Sequence, residues 1–220
     1  MRAIHEEMRS TVTKTGALPV SRRGMLAGGG IALALAGTRL MPAAAQDASP
    51  VASPFADEVE VLNYALTLEH LESAFYRDGL AQFDGQAFVD IGFQASVLDY
   101  LVAIGEHEAA HVETLTAVIT DLGGTPVAEG VYDFGYTDLA GFLQVAAALE
   151  NTGVYAYTGA AQYLIDNDDL LTAALTIHGV EARHAAYLNV LNATSPFPDA
   201  VDAPLTPDEV LEIATPFITG

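Results

Sequence analysis

Residues 97–122 have the sequence VLDYLVAIGEHEAAHVETLTAVITDL, and this stretch decides the fold. Its apolar positions recur at alternating steps of four and three residues, which predicts a helix with one face in the core of a bundle. Glu108 and His111, in the middle of this face, are polar. Because burial of a carboxylate without a compensating charge is costly, Glu108 requires a positive partner. The face consists of Val97, Leu101, Ile104, Glu108, His111, Leu115, Val118 and Leu122.

A second stretch near the end of the chain repeats this arrangement. Glu181 and His184 are three residues apart, as Glu108 and His111 are, and this spacing places both side chains on one helix face. The two stretches therefore predict two buried helices that each direct a Glu-x-x-His pair toward the bundle axis. The inward positions of the second stretch are Leu170, Ala174, Ile177, Glu181, His184, Leu188 and Leu191.

The helices that precede these stretches each add one acid to the predicted core. Glu69 precedes Tyr76 by seven residues, and Glu150 precedes Tyr157 by seven residues. The surrounding strings LEHLESAFY and LENTGVYAY also resemble each other, which indicates a tandem duplication of an antiparallel helix pair. Each half then reads Glu, Tyr and Glu-x-x-His, with the site on the pseudo-two-fold axis between the halves.

Several nearby residues leave alternatives open. Glu72, one turn after the inward acid of the first helix, is an alternative to that acid, although a glycine takes the corresponding position of the second half. His178, one turn before the second Glu-x-x-His pair, either approaches the site or lies at the surface. His70 and His107 lie off the inward faces, and we expect them to face solvent.

The pattern predicts an all-α fold, a four-helix bundle with one long crossover between helices two and three. The predicted helices cover residues 57–80, 93–122, 138–165 and 169–191, with a loop at 81–91 and a tight turn at 166–168. The central connection, 123–137, can extend ~50 Å, and helix two is about 45 Å long. The connection can therefore run the length of the bundle, whereas the short loops make each helix pair antiparallel.

The acidic composition indicates what compensates the buried carboxylates. The 220-residue chain has a net charge of −21, and residues 46–220 contain only two cations, Arg77 and Arg183. A domain so acidic is not expected to bind nucleic acid. Four carboxylates and two imidazoles suit two divalent ions, and with no cysteine in the chain the donors favour iron or manganese. The alternative is a buried hydrogen-bonded network without metal.

These residues resemble those of the ferritin-like superfamily of di-iron and di-manganese carboxylate proteins. There, two helices supply one Glu each and two supply a Glu-x-x-His pair, and the match covers residues 57–193. The resemblance implies a ferritin-like four-helix bundle. It further implies the metal ligands Glu69, Glu108, His111, Glu150, Glu181 and His184. Tyr76 and Tyr157 either donate hydrogen bonds to ligating carboxylates or are aromatic residues of the core.

The sequence segments around the site, LNYALTLEHLESAFY and EARHAAYL, further resemble those of exported bacterial ferritin-like proteins related to desiccation-associated proteins. The implied function is redox chemistry at the dimetal centre on O2, peroxide or ferrous iron. The alternative is a bundle that protects the cell envelope under drying or stress, with a structural metal or none. Iron storage is disfavoured because no long fifth helix follows residue 191. A homo-oligomer is a further expectation.

The N-terminal segment predicts export. Arg22 and Arg23 precede a short apolar stretch, and Ala43-Ala44-Ala45 provides a small-residue cleavage signal before Gln46. Residues 1–45 therefore resemble a twin-arginine export signal, which implies a periplasmic, cell-envelope or extracellular protein. Residues 46–56 are a predicted linker, and the apolar stretch is too short to span a bilayer. Residues 194–220 are a predicted Pro-rich tail with one short helix.

Overall fold

Six α-helices form the part of the chain that this computed structural model describes, residues 53–220. They confirm the predicted all-α bundle. The predicted export signal, 1–45, and the first part of the predicted linker, 46–52, lie outside the described residues. The helices are α1 (Glu58–Leu80), α2 (Gly85–Asp90), α3 (Val97–Asp121), α4 (Leu139–Ala160), α5 (Asp168–Leu191) and α6 (Pro207–Ala214).

Side chains cap most of these helices at their first turn. Asp57, Asp84, Asp138 and Asn167 each accept a hydrogen bond from the backbone N–H three residues further on. Thr206 forms a full capping box with the third residue of α6. Such caps satisfy N–H groups that have no partner within the helix, so they fix where each helix begins.

The segment 81–91, predicted as a loop, contains the helix α2, so that prediction was wrong. Asp84 caps α2, and the fully buried Phe88 anchors it to the core. A helix of six residues is too short to display a period of 3.6. The structure also begins α3 at Val97 and ends α4 at Ala160, inside the predicted bounds, and a 3-10 turn follows α4 at Ala161–Leu164.

The long connection between α3 and α4 lies along α1, as the predicted crossover requires. Near the start of α1, the side chain of Asn63 bonds the backbone of Thr125 and Val127. Further along, Arg77 pairs with Glu129 at 2.9 Å. After the end of α1, Gln82 donates to the hydroxyl of Tyr136. The connection therefore spans the bundle and places α4 and α5 beside α1 and α3.

The C-terminal segment covers α4. The carbonyl of Leu205 passes so close to Gly159 that a Cβ at this position would overlap it, so only glycine admits this crossing. Val210 of α6 is fully buried behind it. Within residues 53–220, no helix is both long and apolar enough to cross a membrane.

Candidate metal centre

Six side chains from four helices meet in the middle of the bundle. Two come singly from α1 and α4, and α3 and α5 each supply a Glu-x-x-His pair. The four glutamates are 0% exposed, and the two histidines are 8% and 5% exposed. The structure thus brings together all six residues that the sequence predicts as metal ligands: Glu69, Glu108, His111, Glu150, Glu181 and His184.

The six side chains form two overlapping sets, and within each set the ligand atoms lie within 4.8 Å of one another. The first set contains Glu69, Glu108, His111 and Glu181. The second contains the other glutamate and the other histidine, together with the same Glu108 and Glu181. A carboxylate that belongs to both sets has one oxygen to offer to each. The arrangement therefore fits a dimetal site with two shared acids.

His111 lies among three carboxylates. Its Nδ1 is 3.1 Å from Oε2 of Glu69, 3.0 Å from Oε2 of Glu108 and 3.2 Å from Oε1 of Glu181. A single N–H at Nδ1 cannot serve three acceptors with good geometry. Three carboxylate oxygens that approach one imidazole nitrogen are instead a donor set for a hard or borderline cation.

His184 occupies the equivalent place in the second set. Its Nδ1 is 2.9 Å from Oε1 of Glu108 and 3.2 Å from Oε2 of Glu150. Among the described residues, neither oxygen of Glu181 has a hydrogen-bond donor of good geometry. Leaving a buried acceptor without a partner costs about 1–3 kcal/mol, and more when it is charged. A divalent cation would remove this cost, so the residues fit a metal.

Two tyrosines each donate a hydrogen bond to an acid in the other half of the bundle. The hydroxyl of Tyr76 donates to Oε1 of Glu150 at 2.6 Å, and the hydroxyl of Tyr157 donates to Oε1 of Glu69. Both tyrosines are buried, and burial raises the pKa of each hydroxyl well above its usual value, so both stay protonated donors. Each bond fixes one carboxylate oxygen and leaves the other facing the centre.

Glu72, which the sequence offered as an alternative to Glu69, is also buried beside the cluster. Its Oε1 and Oε2 of Glu181 both approach Gly153, where a Cβ would lie 3.3 Å and 3.1 Å from these two atoms. The missing side chain of Gly153 therefore leaves room for two carboxylates. Glu72 belongs to neither of the two sets within 4.8 Å.

His107 is the residue that sequence reasoning missed. It is exposed, as predicted, but its Nδ1 lies 2.9 Å from Nε2 of His184, and the two rings stack with centroids 5.2 Å apart. The nitrogen of His184 that faces away from the carboxylates thus has a partner at the surface. His107 lies four residues before His111, so the sequence places it one turn from the histidine of its own helix. The structure instead brings it to His184, the histidine of the other helix.

Burial controls the protonation of the acids. It raises the pKa of Glu69 and of Glu181 to about 8, and neighbouring carboxylates act in the same direction. Burial also raises the pKa of Glu150, and it raises the pKa of Glu72 well above the usual range. Neighbouring carboxylates add to both shifts. Several of these acids therefore carry protons when no metal compensates them.

For Glu108 and the two histidines, neighbouring groups shift the pKa in the direction opposite to the effect of burial. Burial by itself raises the pKa of Glu108, but the hydrogen bonds of both histidines outweigh it and lower this pKa to about 2. Burial by itself lowers the pKa of an imidazole, yet the facing carboxylates raise the pKa of His111 to about 12 and of His184 to about 10. A metal that binds here must displace these protons.

Comparisons with known proteins agree with this geometry. The model of a family described as a ferritin-like domain matches residues 57–194. Among solved structures, ferritin like, diiron-carboxylate proteins from Bacillus anthracis str. Ames share the fold with a TM-score of 0.53 at 20% identity. That match covers 61% of this chain and 94% of that chain. No curated protein sequence has significant similarity to the chain.

Proposed function

The chain belongs to the ferritin-like domain family, and we propose that it binds two divalent ions, iron or manganese, in the buried Glu/His cluster. When bound, these ions would supply redox chemistry on O2, peroxide or ferrous iron. The residues that would hold them are Glu69, Glu108, His111, Glu150, Glu181 and His184.

The observation that carries this proposal is the sharing of Glu108 and Glu181 by the two sets of ligand atoms. One ion would need only one set, and a network of hydrogen bonds would need a donor for every buried oxygen. Both oxygens of Glu181 have no such donor among the described residues. Two ions give every carboxylate of the cluster a positive partner.

The remaining side chains of the site orient the ligands and exclude water. Tyr76 and Tyr157 each hold one ligating carboxylate from the far side. Above and below the cluster, Ile104 and Leu115 of α3 and Ile177 and Leu188 of α5 are buried. Apolar packing above and below the cluster strengthens the electrostatic interactions between its side chains.

The proposal includes export. The twin-arginine route carries folded proteins, so the cluster can be loaded with metal before the protein leaves the cytoplasm. We expect the mature protein to begin near Gln46 and to occur outside the cytoplasm. N-terminal sequencing of material from outside the cytoplasm tests this point, and exported protein that retains Arg22 and Arg23 contradicts it.

The central experiment is metal analysis of the purified protein. The wild-type chain is loaded with Fe(II) or Mn(II), freed of excess ions and analysed for bound metal, and its oxidation of Fe(II) and its consumption of peroxide are then measured. We expect about two ions per chain. The matched variants are Glu108→Gln in the cluster and Glu113→Gln at the exposed surface of the same helix.

The two variants separate the candidate functions. The dimetal proposal requires that Glu108→Gln loses metal, and that Glu113→Gln keeps it. If the wild-type protein binds no metal, the non-enzymatic envelope protein without metal becomes the better interpretation. If it binds two ions but shows neither reaction, the metal is structural.

A further inference from the structure

A groove opens between α3 and α5, directly outside the two histidines of the cluster. It encloses about 560 Å³ and is open to solvent. Small side chains make this space, since Ala110 of α3 and Val180 of α5 are among its lining residues. His111 and His184 form its inner wall, while their Nδ1 atoms face the carboxylates behind them. A cavity of this size can take a small organic molecule.

The charge of the groove is opposite to that of the rest of the domain. Residues 53–220 contain 26 acids, two arginines and five histidines. None of these 26 acids lines the groove, whereas one arginine and three of the five histidines do. A lining that contains an arginine and no carboxylate favours an anion over a cation.

The positive charge in the groove is Arg183. The other arginine of the described chain, Arg77, is neutralised by ion pairs with Asp78 at 2.8 Å and Glu129 at 2.9 Å. Within residues 53–220, no carboxylate lies within ion-pair distance of Arg183. Its guanidinium is exposed and free to form the bidentate pair with a carboxylate that this group favours.

The remaining walls of the groove are flat and aromatic. Tyr100 and Tyr187 meet edge to face across its end, with ring centroids 5.8 Å apart, and Tyr100 is 53% exposed. The ring of His107 forms a further flat surface, stacked on His184. Flat apolar surfaces beside one cation favour a planar ring that carries an acid.

We propose that this groove binds a small aromatic carboxylate. Its carboxylate pairs with Arg183, and its ring lies against Tyr100, Tyr187 and His107. The site goes beyond the dimetal centre because none of these four residues belongs to the proposed ligand set. The bound molecule would touch the outer edges of the two histidines, so it would occupy the solvent side of the centre whether or not metal is present.

The test is binding of defined probes to the full chain, in metal-free and metal-loaded form, by titration calorimetry. The probes are benzoate, 4-hydroxybenzoate and indole-3-acetate, each compared with its neutral amide. We expect at least one acid to bind at millimolar concentration or below, and its amide to bind up to about fivefold more weakly, since an exposed ion pair contributes no more than about this factor.

Two pairs of variants locate the binding. Arg183→Gln should weaken the acid about fivefold, and Arg77→Gln, which removes the same charge elsewhere, should not. Val180→Trp should fill the groove and abolish binding, whereas Leu175→Trp, at an exposed position of α5 outside the groove, should not. Circular dichroism of each variant establishes that it is folded.

Three results overturn the proposal: no acid binds at millimolar concentration, an amide binds as tightly as its acid, or the two arginine variants behave alike. Metal content is measured on the same samples. A wild-type protein that holds two ions after loading but binds no probe refutes the groove alone, and one that binds the probe but takes up no ions after loading refutes the dimetal centre alone.

Discussion

The two halves of the bundle, residues 58–121 and 139–191, place the same ligand and tyrosine residues at corresponding positions, but they differ at two positions from which a side chain of the first half reaches the cluster of the second. Glu69, Tyr76 and the first Glu-x-x-His pair correspond to Glu150, Tyr157 and the second pair. The exceptions are Glu72, which corresponds to Gly153, and His107, which corresponds to Val180.

Both residues, Glu72 and His107, belong to the first half and lie against residues of the second. Glu72 approaches Gly153 beside Glu181, and His107 approaches the outer nitrogen of His184. The duplication therefore provides two similar ligand sets, and these two residues make their surroundings unequal. We therefore expect the two proposed metal positions to bind an ion with different affinities.

The largest expected effect comes from removing an acid that both sets share. With free Fe(II) or Mn(II) a hundredfold above its dissociation constant, mass action adds roughly 2.7 kcal/mol to the stability of the wild-type protein. For a domain of this size that raises the unfolding midpoint by roughly 5–10 °C. Glu181→Ala should remove this shift while the metal-free bundle stays folded. Thermal unfolding with and without metal measures it, and an equal shift in both proteins contradicts the shared role of Glu181.

The pH dependence of stability should have opposite signs with and without metal. Glu69 and Glu181 have a pKa of about 8 in the fold, above the ordinary 4.5, so their favourable contribution is complete below pH 4.5 and is lost as the pH rises toward 8. The contributions of His111 and His184, whose pKa is raised from 6.5 to about 12 and about 10, begin to fall above pH 6.5 and are lost as the pH rises to these values. Between about pH 5 and pH 8 the metal-free protein should therefore become less stable.

Metal binding should strengthen over the same pH range, because fewer protons have to be displaced. The stabilisation by Mn(II) should then grow with pH. Unfolding midpoints of both forms at several pH values test the two slopes together. Parallel slopes would mean that the cluster does not release protons to a metal.

The tyrosines test whether the halves are equivalent where their sequences agree. Tyr76→Phe and Tyr157→Phe each remove one buried hydrogen bond to a carboxylate, which should cost about 1.5–3 kcal/mol of unfolding free energy. The two losses should be similar, because the bonds correspond. Urea unfolding of the metal-free variants measures them, and a loss confined to one variant would show that the symmetry is only in the sequence.

The smallest expected effect concerns the position where the halves differ. Gly153→Ala places a methyl group 3.1 Å from Glu181 and 3.3 Å from Glu72, so it should destabilise the protein by about 1 kcal/mol. Gly179→Ala is the matched control on α5, since its methyl group would meet only Arg183 at 3.9 Å. This control should stabilise the protein by roughly 0.5–1 kcal/mol, as alanine favours a helix. Urea unfolding compares the two, and equal effects would mean that the space at Gly153 is not needed.

The inward faces predicted for α3 and α5 contain most of the residues that these helices bury, because the other face of each helix is exposed and the alternation of four and three is visible. Leu122, however, is 45% exposed, and Ile119, which was not predicted, is fully buried. The helices α1 and α4 are instead buried on several sides. The crossover covers the outer side of α1, and the segment after residue 204 covers α4. Glu72 is buried because it faces Gly153 of α4 and Glu181 of α5, and the sequence offered it only as an alternative to Glu69.

His107 was missed for a different reason. Helical periodicity assigns a residue to a face, but it does not tell how far apart two helices lie. The groove between α3 and α5 lets a residue at the edge of one helix reach the histidine of the other. Distances between helices follow from the packing of whole side chains, which one sequence does not display.

The crossover along α1 also determines how the centre can assemble. Each tyrosine reaches an acid of the other half, and each proposed metal position draws ligands from both halves. Without a covalent link, two separate hairpins would have to meet by diffusion, and metal binding would depend on protein concentration. Residues 122–138 instead tether the hairpins, so that each is present to the other at a fixed effective concentration. A single cut in this connection would turn a unimolecular site into a bimolecular one.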